Sequence, residues 1–313
     1  MPEVVTIGET MVALTPSRPG RLASSRMLHM GIGGAESNVA ISLARLGVSA
    51  GWVSSLGQDE LGDLVLNTVR GEGVDCSHVT RASAPTGLYL RDEPGPGQVR
   101  AFYYRRGSAA AGMGPGQLPE AYVRTAKVLH LSGITMGLSA SCRELVQVAA
   151  RMARRHRVKV SLDVNYRSKL WSPEQAREAI EALLPSCDLL FAGDDEARLL
   201  WGEAGEQWLA RIGAAGPSEV ILKRGAHGAL AWHAGHLLDA PGIRVPVRDT
   251  VGAGDAFAAG YLAAGCWGFD VAQRLRYGNA MGAFTVMSHG DYENAPRRQE
   301  LEAFMEQRAD IGR

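Results

Sequence analysis

The sequence predicts an α/β fold in which a mostly parallel sheet carries helices on both faces and a small β-sheet stands off it. Three observations predict it. Short β-rich runs alternate with helical patterns along most of the 313 residues, the rhythm of parallel strands joined by crossover helices. Two separate stretches break that rhythm with strands and turns alone. The composition, 46% hydrophobic and 21% charged, suits a chain that buries a full core and excludes disorder. One continuous unit over 1–313 is expected.

The elements follow in order. VVTIG at 4–8 is a short strand ending in Gly, and its flanks lack the basic and apolar regions of a signal peptide. The stretches 11–30 and 86–108 show no helix between their strands. In the second, LYLRD and VRAFYY flank EPGPGQ, which predicts a hairpin with a loop longer than two residues. Together the two stretches predict a small β-flap, or lid. From 36, Val39, Ile41, Leu43 and Leu46 form an apolar pattern closed by Gly47, a helix with a C-terminal glycine. Beyond 120 come a strand at 127 (KVLHLSG), a helix from 141 and a strand at 158 (VKVSLDV). The next helix starts at Ser172 as N-cap, with Pro173 at its first position and Gln175 closing a capping box. DLLFAG at 188, a helical stretch near 195–214 and EVILKRG at 219 continue the alternation.

Charge and cysteine content narrow the function. Lys+Arg and Asp+Glu both number 33, so no electrostatic footprint favours nucleic acid or an anionic membrane as partner. The uncharged run at 256–269 falls well short of the roughly 18 residues of a membrane span, and a cytoplasmic location is expected. Cys76, Cys142, Cys187 and Cys266 lie far apart without metal-ligand spacing, as buried thiols in a reducing compartment would.

The most informative run is Asp249-Thr250-Val251-Gly252-Ala253-Gly254-Asp255, leading into AFAAGYLAAG. Small residues let backbone N–H groups approach a ligand, and a helix N-terminus favours negative charge. Asp255, at the lip of this anion cradle, could accept the proton of an attacking hydroxyl while the amides stabilise a transferring phosphoryl group. The chain has neither GxxxxGK[ST] nor GxGxxG, so the P-loop and dinucleotide readings lack their defining features. A second cluster, Gly31-Ile32-Gly33-Gly34-Ala35-Glu36-Ser37-Asn38, precedes the first long helix.

With VVTIGE, GGAESNVA, the flap segments, VSLDVNYR, LKRGAHG and DTVGAGDAFAAGYL, the chain resembles the ribokinase-like (PfkB) sugar kinases over nearly its whole length. The resemblance implies a three-layer α/β/α core with a lid, and phosphorylation of a sugar hydroxyl from ATP with Mg2+. Asp255 would be the catalytic base, Gly252, Ala253 and Gly254 the anion hole, and 160–313 the main ATP-binding part. Asn165, Arg167, Gly193, Lys223, Gly225, Gly228 and Asn279 would join the anion-hole residues around ATP, and Glu196 would bear indirectly on the metal. Gly193 departs from the family's N-x-x-E, which is Gly193-Asp194-Asp195-Glu196 here, and Lys223 stands where many relatives have a hydroxyl residue. Such a lysine could meet nucleotide phosphate directly or stand solvated at its strand end. A monovalent cation activates some of the family.

An acidic sugar needs a cation that a neutral one does not. Arg105 and Arg167 follow aromatics at predicted strand ends, where a guanidinium could pair a carboxylate bidentately. The likeness sharpens toward 2-keto-3-deoxygluconate kinases at GLYLR, FYYR, HLSGIT, SLDVNYR and LWSPE. It implies contacts from Gly34, Tyr89, Tyr103, Arg105, Arg167 and Asp255 to the sugar acid, with Asp291 on its far hydroxyls. Tyr103 and Tyr104 alternate along one strand, so only one can face a ligand; the resemblance selects Tyr103 and leaves Arg106 a solvated neighbour. His233 and His236 read as a surface turn, and Trp171, Trp201, Trp208 and Trp267 as core. A kinase for a neutral sugar such as fructose or ribose, or a non-catalytic sugar sensor, are the alternatives. The apolar flap edge favours pairing with another copy.

Overall fold

The computed structural model describes residues 1–18, 20–95 and 98–311. Its strands are β1 (Val4–Ile7), β2 (Met11–Pro16), β3 (Leu28–Gly33), β4 (Ala50–Gly57), β5 (Val79–Ala82), β6 (Leu88–Gly95), β7 (Gln98–Tyr104), β8 (Val128–Ser132), β9 (Lys159–Asp163), β10 (Leu189–Gly193), β11 (Glu219–Lys223), β12 (Ala229–His233) and β13 (His236–Ala240). The helices are α1 (Ala35–Arg45), α2 (Glu60–Gly71), α3 (Glu120–Val123), α4 (Gly133–Leu138), α5 (Ala140–Arg155), α6 (Pro173–Leu183), α7 (Asp194–Trp201), α8 (Glu206–Ala214), α9 (Ala253–Cys266), α10 (Val271–Thr285) and α11 (Arg298–Ile311).

Nine strands form the large sheet in the order β13-β12-β11-β10-β9-β8-β1-β4-β5, and four form the small one in the order β3-β2-β6-β7. The large sheet is parallel except where β12 and β13 turn back antiparallel at one edge. Alternating side chains build a separate core on each face. Val4, Phe191 and Ile221 pack with α1, α9 and α10 on one side. Val5, Leu190, Val220 and Leu222 pack with α5, α6 and α8 on the other. This is the expected three-layer α/β/α arrangement, and strands buried on both faces explain the continuous apolar runs.

Local signals place several boundaries well. Ser172 accepts from the Gln175 N–H at 3.3 Å, and Gln175 Oε1 accepts from the Ser172 N–H at 3.1 Å, completing the expected capping box. Two expectations need correction. The helical stretch near 195–214 is two helices, because Gly202 and Gly205 adopt φ of 73° and 98° between them. The flap hairpin is tighter than predicted: Gly95 pairs with Gln98, so two residues connect the strands, and those two lie outside the described residues. The small sheet otherwise comes from the two stretches that break the rhythm. Among the described residues no helix is long and apolar enough to cross a membrane.

Candidate active site

From β1 the chain runs outward to β4 and β5, then returns to β8 on the other side of β1 and continues to β11. At such a switch point the carboxyl ends of parallel strands diverge and leave a crevice. Glu9 beyond β1, Ile134 beyond β8 and Arg167 beyond β9 line a cleft of about 1050 Å3 there. Its remaining walls are the small sheet, through Tyr89, Tyr103 and Arg105, and the start of α9, through Val251, Gly252 and Asp255.

Gly252 is the N-cap of α9 and has φ 75°. A Cβ there would also overlap the Asp291 carbonyl oxygen, so conformation and space both demand glycine. Asp249 braces the loop's entry by accepting the Val251 N–H at 3.2 Å. The small sheet reaches the same loop, with Arg91 Nη2 2.7 Å from Asp249 Oδ2. Beneath the loop lies Lys223, whose Nζ would be 3.4 Å from a Cβ on Gly254. Lys223 is not a solvated strand end: it is largely buried and donates to Asp163 Oδ2 at 2.6 Å. Burial opposes its charge, but Asp163, Glu196 and the Asp163 hydrogen bond outweigh it and raise its pKa. A helix N-terminus with a fixed cation below it is an anion site.

Asp255, in the first turn of α9, lies at the cleft floor. Asn38 Nδ2 donates to its Oδ2 at 2.9 Å, and Asn165 Nδ2 to its Oδ1 at 3.3 Å. Desolvation dominates its titration, the Asn38 bond opposes it, Asp163 adds to it, and the outcome is a carboxyl pushed up to about 6. That value leaves the carboxylate largely ionised at neutral pH yet basic enough to accept a proton. Asn165 holds φ 38°, a left-handed conformation that Asn tolerates better than most residues.

Above Asp255 the Tyr89 hydroxyl donates to Asp291 Oδ2 at 3.1 Å, in space that a Cβ on Gly33 would fill. Burial, then the charges of Glu293 and Asp255, push the Asp291 carboxyl up to about 7. The Tyr103 ring lies 5.6 Å from that of Tyr89 and lines the cleft, whereas Tyr104 on the opposite face is 64% exposed. Arg106 is exposed but also lines the cleft. Arg105 is ion-paired with buried Glu9, its Nε 2.6 Å from Glu9 Oε2. Gly34 packs against the Glu9 carbonyl, and exposed Arg167 lies at the cleft mouth.

The other residues expected around ATP do not line this cleft. Glu196 Oε2 accepts the Gly193 N–H and its Oε1 the Tyr166 N–H, both at 2.7 Å, so it ties the start of α7 to the Asn165–Arg167 turn. Gly225 and Gly228, with φ 54° and 85°, shape the turn after β11. The Asn279 amide is spent on the carbonyls of Ala240 and Pro241, at 3.0 and 3.1 Å. It holds the chain beyond β13 rather than facing the cleft. His233 and His236 flank the β12–β13 turn as expected. Trp171 and Trp208 are core, but Trp201 and Trp267 are only half-buried.

Sequence reasoning missed Glu9, Asn38 and Asp163. Each had a signal. Glu9 and Asp163 stand at the carboxyl ends of strands, where parallel sheets place their ligands, and Asn38 is a poor helix former inside α1.

Comparison with known proteins shows what the chain is similar to in sequence and fold. The model of the pfkB family of carbohydrate kinases matches residues 1–298. The 2-dehydro-3-deoxygluconokinase of Bacillus subtilis (strain 168) is 36% identical over 312 residues, 97% of this chain and 95% of the relative. A 2-dehydro-3-deoxygalactonokinase of Haloferax volcanii is 35% identical, covering 92% of each. An Escherichia coli crystal structure described as Ribokinase II with ATP and Mg2+ superposes with TM-score 0.91 at 26% identity, over 98% of this chain and all of the other.

Proposed function

The chain belongs to the pfkB family of carbohydrate kinases, and on that premise we propose that it phosphorylates 2-keto-3-deoxygluconate (2-dehydro-3-deoxygluconate) at its primary hydroxyl. The observation that carries the substrate class is the charge of the cleft. Arg100, Arg105, Arg106, Arg167 and Lys169 line it, with Arg91 paired to Asp249, against Glu9, Asp255 and Asp291, of which burial pushes Asp291 up to about 7 while Asp255, at about 6, stays largely ionised at neutral pH. A neutral ketose has no use for that excess. Arg105 and Arg167 hold the sugar-acid carboxylate, Tyr89, Tyr103 and Gly34 line its chain, and Asp291 accepts from the hydroxyls. Asp255 then takes the proton of the attacking hydroxyl, while the Gly252, Ala253 and Gly254 amides with Lys223 beneath stabilise the transferred charge.

Among the described residues no group of three or more His, Cys, Asp or Glu side chains could hold a metal ion. A Mg2+ would be held by the phosphates of ATP and would neutralise their charge, and Glu196, whose oxygens accept the Gly193 and Tyr166 N–H groups, would bear on it only indirectly. Asn165, Arg167, Gly193, Gly225, Gly228 and Asn279 shape the nucleotide side, and the small sheet is the lid. Its exposed Met30, Phe102 and Tyr104 make pairing with a second copy the expected assembly. The four free thiols suit the reducing cytoplasm.

The galactonate-derived epimer is a second reading, supported by the Haloferax relative; one inverted hydroxyl changes only a hydrogen bond or two. The test is turnover of the sugar acid, its epimer and fructose by wild type, Arg105→Ala and Arg167→Ala. Each variant should lose roughly ten-fold to more than a hundred-fold in affinity for the acids and far less for fructose. Preference for fructose, or equal losses on acid and ketose, refutes the carboxylate assignment.

A further inference from the structure

Four chain crossings join the small sheet to the large one, and one residue touches or adjoins them all. Glu9 itself stands in the first, between β1 and β2. Its carbonyl lies against Gly34 in the second, between β3 and α1, so closely that a Cβ there would overlap it. Its Oε1 would be 2.9 Å from a Cβ on Gly87, the last residue before β6. In the fourth, beyond β7, Glu9 Oε2 takes Arg105 Nε at 2.6 Å together with Nη2, and Oε1 accepts from the Ser108 hydroxyl at 2.5 Å. The Glu9 side chain has no solvent exposure, and that of Arg105 has 11%.

We propose that Glu9 is the positioning residue of the cleft: it fixes the Arg105 guanidinium and anchors the crossings of the small sheet, and so sets the affinity for an anionic substrate. Its oxygen occupies the Nε–Nη2 edge of Arg105, and the remaining Nη1–Nη2 edge is the one available to an incoming carboxylate. The pair has a second consequence. Removing Arg105 alone leaves a buried carboxylate uncompensated beside the substrate's own charge, so the two residues cannot act independently. This inference rests on the sugar-acid reading for its substrate, but its structural half does not.

Two readouts separate them. Amide exchange without substrate, comparing wild type with Glu9→Gln, should show faster exchange in 86–92 and 100–108 of the variant. On 2-keto-3-deoxygluconate, Glu9→Gln should raise KM about ten-fold, more than it lowers kcat, and Ser108→Ala should raise it about two-fold as a milder variant. The pair Glu9→Gln with Arg105→Met should have a KM no higher than Arg105→Met alone, because it removes the stranded charge. Unchanged exchange, or KM effects that multiply in the pair, overturns the role of Glu9. A wild type that ignores the sugar acid refutes the substrate reading, and exchange then decides the Glu9 anchor alone.

Discussion

Asn38→Leu tests how the proposed base is set. Asn38 is 3% exposed; its Nδ2 donates to Asp255 at 2.9 Å, while its Oδ1 has no partner among the described residues. Leucine has nearly the same shape, removes the unpartnered oxygen and takes away one donor to the carboxylate. A hydrogen bond to a charged group contributes about 1.5–3 kcal/mol, and about 1.4 kcal/mol corresponds to one pKa unit. The bond holds the Asp255 pKa down against the desolvation that raises it to about 6. Its loss should therefore move the pKa up, by about one unit because Asn165 still donates to the other oxygen.

The assay is kcat/KM for the sugar acid from pH 5 to 9, with saturating Mg2+ and coupled detection of ADP. The base must be ionised, so the rate rises with pH through its pKa. Wild type should show an acid limb near pH 6 and Asn38→Leu a limb near 7. At pH 6 the variant should be about five-fold slower from this cause alone, and above pH 8.5 the gap should close to whatever substrate contact Asn38 makes. Asp291, pushed up to about 7, titrates in the same range, so Asp291→Asn is needed to show which limb belongs to Asp255. A limb that stays at 6 or moves down would refute the reasoning.

Three further outcomes are expected. Asp255→Asn keeps the shape and removes the proton acceptor, so single-turnover rates should fall about 10²–10⁴-fold while ATP still binds; more than half of wild-type turnover would exclude the role. Gly252→Ala puts a Cβ at φ 75° against the Asp291 carbonyl, and should lower the melting temperature by the equivalent of about 1–3 kcal/mol and abolish most turnover. Glu36, on α1, accepts from Ser132 at 2.6 Å and Thr135 at 2.5 Å, and burial pushes it from 4.5 up to about 7. The unfolded chain ionises it first, so this group's contribution is intact below pH 4.5 and is lost as pH rises to about 7. Denaturant titrations should show Glu36→Gln gaining on wild type by up to about 3 kcal/mol between pH 4 and 8, and a constant difference would count against a buried neutral Glu36.

The alternation, the helix caps and the small sheet were legible because each is written in residues close together in the chain. Ser172 finds Gln175 three positions away, and Gly252 needs only its own φ and the helix that follows. The strand β4 escaped notice because AGWVSSLG has neither alternation nor β-branched density, and only burial from both faces makes it a strand. The division of 195–214 was written in Gly202 and Gly205, and a continuous helical pattern overrode it.

What local pattern could not supply was pairing. Asp255 meets Asn38 across 217 positions, Tyr89 meets Asp291 across 202 and Arg105 meets Glu9 across 96. Reading Arg105 as a cation for substrate was therefore incomplete, since its charge is already balanced by an acid that no spacing rule connects to it. The same holds for Lys223, whose partner Asp163 lies two strands away in the sheet. Arg105 and Lys223 are thus each held by a buried carboxylate of the fold, whereas Arg167 stands exposed. A cleft built this way keeps its donors in fixed directions before substrate arrives, which is where electrostatic preorganisation comes from. On the proposed sugar-acid reading, the acids at the strand ends, and not only the residues facing the ligand, then govern how strongly the cleft discriminates an anionic sugar from a neutral one.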